Sequence, residues 1–452
     1  VRGRVGGDRY TLQKTNSTPW GTAYSKLGGM SESSSTFKQY DADVFIGTDN
    51  LQLADGVSLT TFVGIGTTNE QYESYGVSGS DFIVPFLINV KNTANQGSSY
   101  SFWEKQINSA YGSAEIGFMD YAYLTLTARN DWFSTLSLKD KEAPNNDLYT
   151  SASLSLVLSD ALDLGDAVSF LKLRAGYSQV AGGADSPYAL SLSYGIYGQG
   201  HLGASLGSIS GGTIPNSEIT PFEKNETEFG MDLRLFDNKL SIDATYYDNE
   251  TLGDIVGVSA SPTSGFGSAL ANLGNISNSG IELLVKGTLM QTDDFAWEAS
   301  VNYTNNTSKV VATNDTDGNI SMDEPRSRNL RVTHIVGQKY GALYGSSYVR
   351  DAKNNIVHEM VNGIPIPKVG ARKILGFDVA QTSIGFGSSF RYKDFNANLL
   401  IEGKSGGQIY SGTNAFLIRN GHHKKTVPAG GREAGFVPTG VMEDGSTIST
   451  SI

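Results

Sequence analysis

The sequence predicts an all-β protein whose strands form a transmembrane antiparallel β-barrel. Three observations lead to this fold class: strict alternation of apolar and polar residues, short polar turns between alternating runs, and long connections at the opposite ends. The 53 glycines and 22 tyrosines favour strands, turns and aromatic surfaces over helices. No run approaches the roughly 18 consecutive apolar residues of a membrane helix, so any membrane-spanning region must be built from strands.

The clearest alternation lies on either side of the polar turn 291–294. Before the turn, the apolar residues of one face are Ile281, Leu283, Val285 and Leu289. After the turn, they are Phe295, Trp297, Ala299, Val301 and Tyr303. The intervening positions are mostly polar, so each strand has one apolar and one polar face.

Similar paired runs recur along the chain, joined by short connections rich in Asp, Asn and Gly, as hairpin turns are. The predicted pairs are 41–48 with 57–66, a strand at 124–132 after the turn at 118–120, 152–159 with 170–178, 227–236 with 239–248, 280–290 with 295–304, and 382–392 with 395–403. The opposite connections are long and show little periodicity: 67–110, 132–150, 179–225, 250–279, 305–380 and 404 onward.

Long irregular loops are unusual in a compact soluble domain, whereas short periplasmic turns and long extracellular loops are typical of outer-membrane barrels. In that interpretation the apolar face meets lipid and the polar face lines a lumen, with Phe295 and Trp297 in an aromatic girdle. The alternative is a large soluble β-sandwich or propeller with its apolar face packed inward. That alternative leaves the asymmetric loop lengths unexplained, and the sequence has no repeat period.

Composition excludes several function classes. The chain has no cysteine, so it has no disulfide, thiol nucleophile or cysteine metal ligand. Its 34 basic and 46 acidic residues give a net charge of −12, which argues against nucleic-acid binding. No Ser/His/Asp arrangement is recognisable, and the five histidines are scattered. We therefore expect no enzyme activity, no catalytic residue and no cofactor.

Three loop features have both a functional and a structural interpretation. In a calcium loop, Asp315, Asp317 and Glu324 would take positions 3, 5 and 12, but Thr313 replaces the first carboxylate. We expect weak or no calcium binding there. His422 and His423 suit a metal or an anion, but a solvated loop tip is the favoured interpretation. A last group of residues would suit a sugar or peptide, or would equally pack loops together: Tyr340, Tyr344, Tyr348 and Arg350. Metal sites are therefore expected to be absent, and the substrate-binding residues stay unknown.

Several longer stretches resemble a single family. They are TARNDWFSTL (127–136), FLKLRAGYSQVAGGADSPYAL (170–190), the segment 219–251, SPTSGFGSALANLGNISNSGIEL (261–283), GQKYGALYGSSYVRD (337–351) and the segment 375–413. Together they resemble the SusC/RagA family of TonB-linked outer-membrane transporters of Bacteroidota. The resemblance implies a 22-stranded barrel of the type that carries a plugged lumen.

The same resemblance implies active import of a large nutrient, an oligosaccharide or oligopeptide, across the cell outer membrane. Its implied partners are a SusD-like surface lipoprotein, TonB with the ExbB–ExbD motor, the glycan or peptide cargo, and outer-membrane lipid. A signalling receptor of similar architecture, or a surface adhesin without transport, is the alternative. An N-terminal extension would distinguish the signalling receptor.

The resemblance also predicts which part of such a protein residues 1–452 represent. We expect the whole chain to belong to the barrel domain, as a fragment of about a dozen strands with long extracellular loops. The plug domain, the N-terminal extension and the last barrel strands are expected to lie outside this sequence.

Overall fold

The computed structural model describes residues 1–139, 143–210, 212–313, 318–323, 330–427, 430–431, 435 and 437–450. Among these residues strands dominate and helices are few and short. None of the helices in the described ranges has the length and apolar character needed to cross a membrane.

The strands differ greatly in length, from two residues to 26. In chain order they are β1 (Arg2–Thr18), β2 (Gly29–Ala54), β3 (Val57–Phe82), β4 (Thr93–Phe118), β5 (Ala122–Phe133), β6 (Asn146–Val157), β7 (Val168–Gly182), β8 (Ser193–His201), β9 (Ala204–Ser210), β10 (Thr213–Ile214), β11 (Phe222–Leu235), β12 (Leu240–Leu252), β13 (Ile255–Ser259), β14 (Ser268–Asn272), β15 (Asn275–Gln291), β16 (Phe295–Ala312), β17 (Ile320–Asp323), β18 (Leu330–His334), β19 (Ala342–Gly345), β20 (Val357–Val361), β21 (Ile364–Pro367), β22 (Lys373–Phe377), β23 (Thr382–Tyr392), β24 (Phe395–Ser405) and β25 (Val441–Met442). The helices are α1 (Leu158–Ala161) and α2 (Gly412–Arg419), with 3-10 turns at Val90–Asn92, Ser134–Leu136, Pro262–Ser264 and Lys424–Thr426.

The first compact unit comprises Val1–Asp163, Lys172–Thr227 and Leu252–Asn272. Its main sheet follows chain order from β1 to β7, and each strand runs antiparallel to the next. Its buried apolar core lies in the long connections, where β13 and β14 also pair. The core residues are Phe133, Leu136, Ala184, Leu190 and Ile219, with Ile107, Ile255 and Leu270 packed against them.

The second unit comprises Leu164–Leu171, Glu228–Thr251 and Leu273–Ile452. Its main sheet has the order β12-β15-β16-β23-β24, again with antiparallel neighbours. Two smaller sheets, β17-β18-β19-β22 and β21-β20-β25, are formed within its long connections. Strands β7, β11 and β12 contribute residues to both units.

The predicted hairpins are confirmed. β15 and β16 pair with Val285 opposite Val301 and Leu283 opposite Tyr303, so the predicted apolar faces coincide. Likewise β23 and β24 pair from the turn outward, with Tyr392 opposite Phe395. At these two turns the predicted strand ends agree with the structure, because the polar turn residues break the alternation.

The predicted long connection 67–110 is wrong. β3 continues to Phe82 and β4 begins at Thr93, so only ten residues connect two 26-residue strands. β2 also continues to Ala54 and leaves a two-residue turn where the sequence predicts a connection over 49–56. In 67–82 and 93–110 both faces carry Ser, Thr, Asn and Gly, so no apolar period marks these segments as strands. Short strands are also present in the predicted connections 179–225, 250–279, 305–380 and 404 onward.

In the first unit, the apolar face of β3 forms a limited belt. Val57, Leu59, Val63 and Ile65 share this face, and beyond them the same face carries Thr67, Asn69 and Gln71. A belt of nine residues agrees with the roughly 9–11 residues of a membrane-spanning strand. The remaining part of β3, from Thr67 to Phe82, therefore extends roughly 50 Å along the strand beyond the belt, at about 3.3 Å per residue.

The apolar side chains at the outer end of this belt are exposed, whereas Val57 and Leu59 are half-buried. Val63 is 61% exposed and Ile65 is 66% exposed. In the second unit, Ile384 is 50% exposed on the apolar face of β23. A soluble sandwich would bury this face, so that alternative is wrong. So large a continuous apolar surface is stable only against hydrocarbon.

Val301→Arg should destabilise the barrel by about 2–4 kcal/mol, because Val301 pairs with Val285 and Phe386 in the middle of the apolar face. At about 3.3 Å per residue and a tilt near 40°, it lies roughly 15 Å above Phe295. Asn302→Arg is the matched control, because its side chain points to the polar face. Heat-modifiability of the full-length protein in membranes measures both. Equal yields, or a lower yield for Asn302→Arg, would contradict the face assignment.

Candidate functional site

The polar face of the first unit carries a band of charged and aromatic side chains. Two neighbouring rows of cross-strand partners form it, one running from Arg4 to Asp131 and the other from Phe45 to Tyr149. We call this set the polar band: Arg4, Asp43, Phe45, Gly64, Gly66, Ser109, Tyr111, Arg129, Asp131 and Tyr149. Because strand residues alternate, it lies directly behind the outer end of the apolar belt at Ile65.

Asp131 is the most buried charged group of the polar band, with 6% of its surface exposed. Arg129 Nε donates to both carboxylate oxygens of Asp131, at 2.8 and 3.0 Å. The Tyr149 hydroxyl donates to the same carboxylate at 2.5 Å. Arg129 Nη2 also donates to Ser109 Oγ at 2.8 Å. These charge-assisted bonds satisfy a carboxylate that would otherwise be costly to bury, and they fix the guanidinium in one orientation.

A second pair at the other end of the polar band is more exposed. Arg4 Nε lies 2.9 Å from Asp43 Oδ2, with 57% and 23% of the two side chains exposed. The Arg4 guanidinium lies 5.3 Å from the centre of the Phe45 ring, just as that of Arg129 lies 5.6 Å from the Tyr111 ring. Each arginine therefore has a carboxylate partner and also lies beside an aromatic ring. The distance to the ring is that of a cation–π contact.

Aromatic rings connect the two arginine pairs. The centre of the Phe62 ring lies 5.7 Å from that of Phe45 and 6.2 Å from that of Tyr111. Gly64 permits this arrangement, because a Cβ there would lie 2.8 Å from Phe45 Cβ and 2.9 Å from the Tyr111 ring. A glycine within a strand often marks such a close approach.

Farther along the same face, four aromatic side chains occupy one row across β1 to β4. They are Tyr10, Phe37, Tyr72 and Trp103. The rings of Tyr10 and Phe37 stack at 5.2 Å, and those of Tyr72 and Trp103 stack at 5.5 Å. Such cross-strand pairs stabilise a sheet that has no second layer, and they place aromatic surface on the polar face beyond the membrane belt.

The loop residues singled out from the sequence do not form one cluster. The Tyr340 ring lies 4.4 Å from that of His334, and Arg350 Nη1 donates to the Asn354 carbonyl at 2.7 Å. Tyr348 is half exposed, and Tyr344 belongs to β19. No ring contact joins two of these four residues in the described part of the chain. Which of them contact a substrate therefore stays unassigned.

The other two candidates are located as follows. His422 and His423 lie just after the end of α2. His422 is exposed, and His423 Nδ1 accepts a hydrogen bond from the Lys425 backbone N–H at 3.1 Å. The carboxylates predicted for a calcium loop, at 315, 317 and 324, lie outside the described residues. Among the residues that are described, no group of three or more His, Asp and Glu side chains could hold a metal ion.

Sequence reasoning missed the polar band, although one signal was present. In the stretch ARNDW, Arg129 and Asp131 are two residues apart, which places both on one face of β5. The partners Arg4, Asp43 and Tyr149 come from other strands, and only the register of β1 to β6 brings them together.

Strands with an exposed apolar belt, one polar charged face and short turns define an integral outer-membrane β-barrel. The sequence model of the TonB dependent receptor-like, beta-barrel family matches residues 2–402. The chain belongs to this family. The resemblance to SusC/RagA proteins is thereby confirmed at the level of the family, and the outer membrane is its location.

Individual relatives agree. The chain is 25% identical over 343 residues to TonB-dependent receptor P3 of Formosa agariphila, covering 70% of this chain and 33% of that protein. It is 24% identical over 319 residues to TonB-dependent receptor SusC of Bacteroides thetaiotaomicron, covering 67% and 31%. The solved RagAB peptide transporter has the same fold, with a TM-score of 0.72 at 17% identity, over 88% of this chain and 45% of that one. The chain thus spans about a third of the length of these two relatives.

Gly64→Ala should destabilise the protein by about 1–3 kcal/mol, because the new methyl group would overlap Phe45 Cβ and the Tyr111 ring. Gly6→Ala is the control, because no atom lies within 4 Å of a Cβ at that position of β1. Urea unfolding in detergent measures both variants. Equal stability of the two variants would contradict the requirement for a glycine beside the Tyr111 ring.

Arg129→Ala should cost about 1–3 kcal/mol of stability, because it leaves the buried Asp131 carboxylate without its cation. Arg4→Ala, which removes the exposed member of the polar band, should cost at most about 1 kcal/mol. The comparison uses the same unfolding assay. A larger loss from Arg4→Ala would show that burial does not determine the contribution of these pairs.

Proposed function

We propose that the complete protein actively imports a large oligomeric nutrient across the outer membrane, an oligosaccharide or an oligopeptide. A SusD-like surface lipoprotein would deliver the cargo, and TonB with the ExbB–ExbD motor would supply the energy. The family match over residues 2–402 supports the transporter class. The relatives named SusC and RagAB support pairing with such a lipoprotein.

The observation that carries the proposal is the chemistry of the polar face. It offers guanidinium groups held by carboxylates in the polar band and, beyond the membrane belt, the aromatic row of Tyr10, Phe37, Tyr72 and Trp103. Peptides and glycans both present hydrogen-bonding groups beside apolar surface. A wall of mixed aromatic and charged side chains can contact either cargo along its length.

Energy coupling follows from the architecture that this family implies. A lumen filled by a plug domain blocks passive diffusion, so movement of a large solute requires the plug to shift. A signalling receptor or an adhesin would need no such movement. No residue of the described chain favours a catalytic role, and the family consists of transporters rather than enzymes.

Uptake of a fluorescently labelled oligomeric cargo should require three genes: the one for this protein, the one for TonB and the one for the partner lipoprotein. Mixed oligopeptides and oligosaccharides are supplied to single-deletion strains, and cell-associated and periplasmic label are measured separately. Each deletion should abolish periplasmic label. A small monomeric solute is the control, because it needs no large importer. Normal accumulation of periplasmic label in the strain without TonB would identify a passive pore. Label that stays on the cell surface in the wild type would identify an adhesin.

A further inference from the structure

A pair of tyrosines lies on the outward face of β3 and β4, which is the continuation of the apolar face beyond the membrane belt. Tyr75 shares this face with Ile65, because an even number of residues separates them and the register has no shift. The cross-strand partner of Tyr75 is Tyr100, and the centres of the two rings lie 5.0 Å apart. Ten residues separate Tyr75 from Ile65. At about 3.3 Å per residue and a tilt near 40°, the pair therefore lies roughly 25 Å above the belt.

The two tyrosine hydroxyls converge on one carboxylate. Tyr75 and Tyr100 both donate to Glu73 Oε1, at 2.6 and 3.1 Å. These bonds lower the pKa of the Glu73 carboxyl and raise the pKa of Tyr75 to about 12. Glu73 is therefore ionised at neutral pH, and Tyr75 keeps its proton. Within the described part of the chain no hydrogen bond is formed to Glu73 Oε2, so this oxygen can accept one from a ligand.

The aromatic rings around this carboxylate are open to solvent. Tyr75 is 57% exposed and Tyr100 is 61% exposed, and Phe102, the cross-strand partner of Glu73, is exposed as well. Strands β1 and β2 separate Tyr75 from the edge of the sheet, so its exposure does not depend on what pairs with β1. On the other side, β5 has already ended below this level. A molecule in the lumen cannot cover these rings, because they are on the opposite face.

The charges around the cluster favour a neutral ligand. Glu73 would repel an anion, and Lys38, which attracts Glu73 from the same face, would repel a cation. The facing side chains from β2 carry hydroxyl groups, Ser34 and Thr36. A neutral sugar matches this set, because its C–H face packs on an aromatic ring while its hydroxyls donate to a carboxylate and accept from hydroxyls. An acyl chain does not reach this height above the hydrocarbon.

We propose that Glu73, Tyr75, Tyr100 and Phe102 bind a neutral stretch of a polysaccharide chain on the cell surface. The aromatic rings pack on sugar rings, and Glu73 Oε2 accepts a hydrogen bond from a sugar hydroxyl. A surface polysaccharide is favoured over cargo because the cluster faces away from the lumen, at a height that chains anchored in the outer leaflet pass. Each contact is weak, and repeated units of a long chain strengthen the binding. The site goes beyond the proposed function, in which cargo contacts the polar face.

The first test locates the site on the full-length wild-type protein, in a detergent without a sugar headgroup. The probes are neutral hexamers of glucose, mannose or galactose, hexagalacturonate, and the polysaccharide released by mild acid from the lipopolysaccharide of the cells. Hydroxyl-radical footprinting reads out protection of single side chains. At least one neutral hexamer and the released polysaccharide should protect Tyr75, Tyr100 and Phe102, and leave the exposed Tyr24 unprotected. Hexagalacturonate should protect them less, because its carboxylates are repelled by Glu73.

The second test uses variants and titration of the protecting hexamer by saturation-transfer NMR. Tyr75→Ala/Tyr100→Ala should weaken binding by about tenfold or more, because both stacking rings are lost. The control Tyr24→Ala/Tyr188→Ala removes two other exposed rings and should bind like the wild type. Glu73→Gln keeps the shape of the site and removes its charge, so it should reduce the discrimination against hexagalacturonate. A folding defect would not produce that change. Uptake of labelled cargo should be unchanged in every variant, which separates this site from the proposed function.

Three results would overturn the proposal. The first is equal binding of the neutral hexamer by the wild type and Tyr75→Ala/Tyr100→Ala. The second is protection of the cluster by none of the neutral probes, or by the hexamers and not by the released surface polysaccharide. The third is protection of the cluster without any sugar when the protein concentration is raised, which would assign this face to contact between copies of the chain.

Discussion

The whole structure depends on one constraint: in hydrocarbon, every backbone N–H and C=O must be paired within the protein. The strands satisfy this constraint through long antiparallel hydrogen-bond ladders between strands that follow each other in the chain, such as the 26-residue strands β3 and β4. Side chains are then free to differ on the two faces. The apolar face needs only to be compatible with lipid, and the polar face can carry ionised groups such as Arg129 and Asp131. Because the backbone ladders hold the strands together, the side chains of the polar face can be adapted to a ligand.

The sequence predicts the membrane-spanning parts of the strands well and their outer extensions poorly, for one physical reason. Within the belt, contact with lipid requires apolar residues at every second position. The alternation at 295–303 can therefore be recognised from the sequence alone. Beyond Ile65, β3 meets water on the apolar side as well, and the period disappears although the strand continues to Phe82. A segment rich in Ser and Thr can be a strand or a loop, and the ladder to β2 and β4 decides which.

The polar band shows the same limit for functional residues. The spacing of Arg129 and Asp131 is readable, but no pattern in the sequence relates them to Arg4, 125 residues earlier in the numbering. Register across four strand pairings places the two arginines in one band, and a glycine is needed at position 64 because Phe45 and Tyr111 are its cross-strand partners. The family resemblance indicates the class of transporter, whereas the contacts of the polar band follow only from the register of the paired strands.

The continuity of β3 and β4 past the bilayer has a mechanical consequence. The hydrogen-bond ladder between β3 and β4 keeps one register from Val57 to Phe82, so this hairpin has no break in its pairing at the membrane surface. Its outer end is therefore a stiff rim, and bending it there would break consecutive backbone bonds. Any molecule that contacts the outer end of this hairpin therefore meets a surface whose position relative to the membrane belt is fixed.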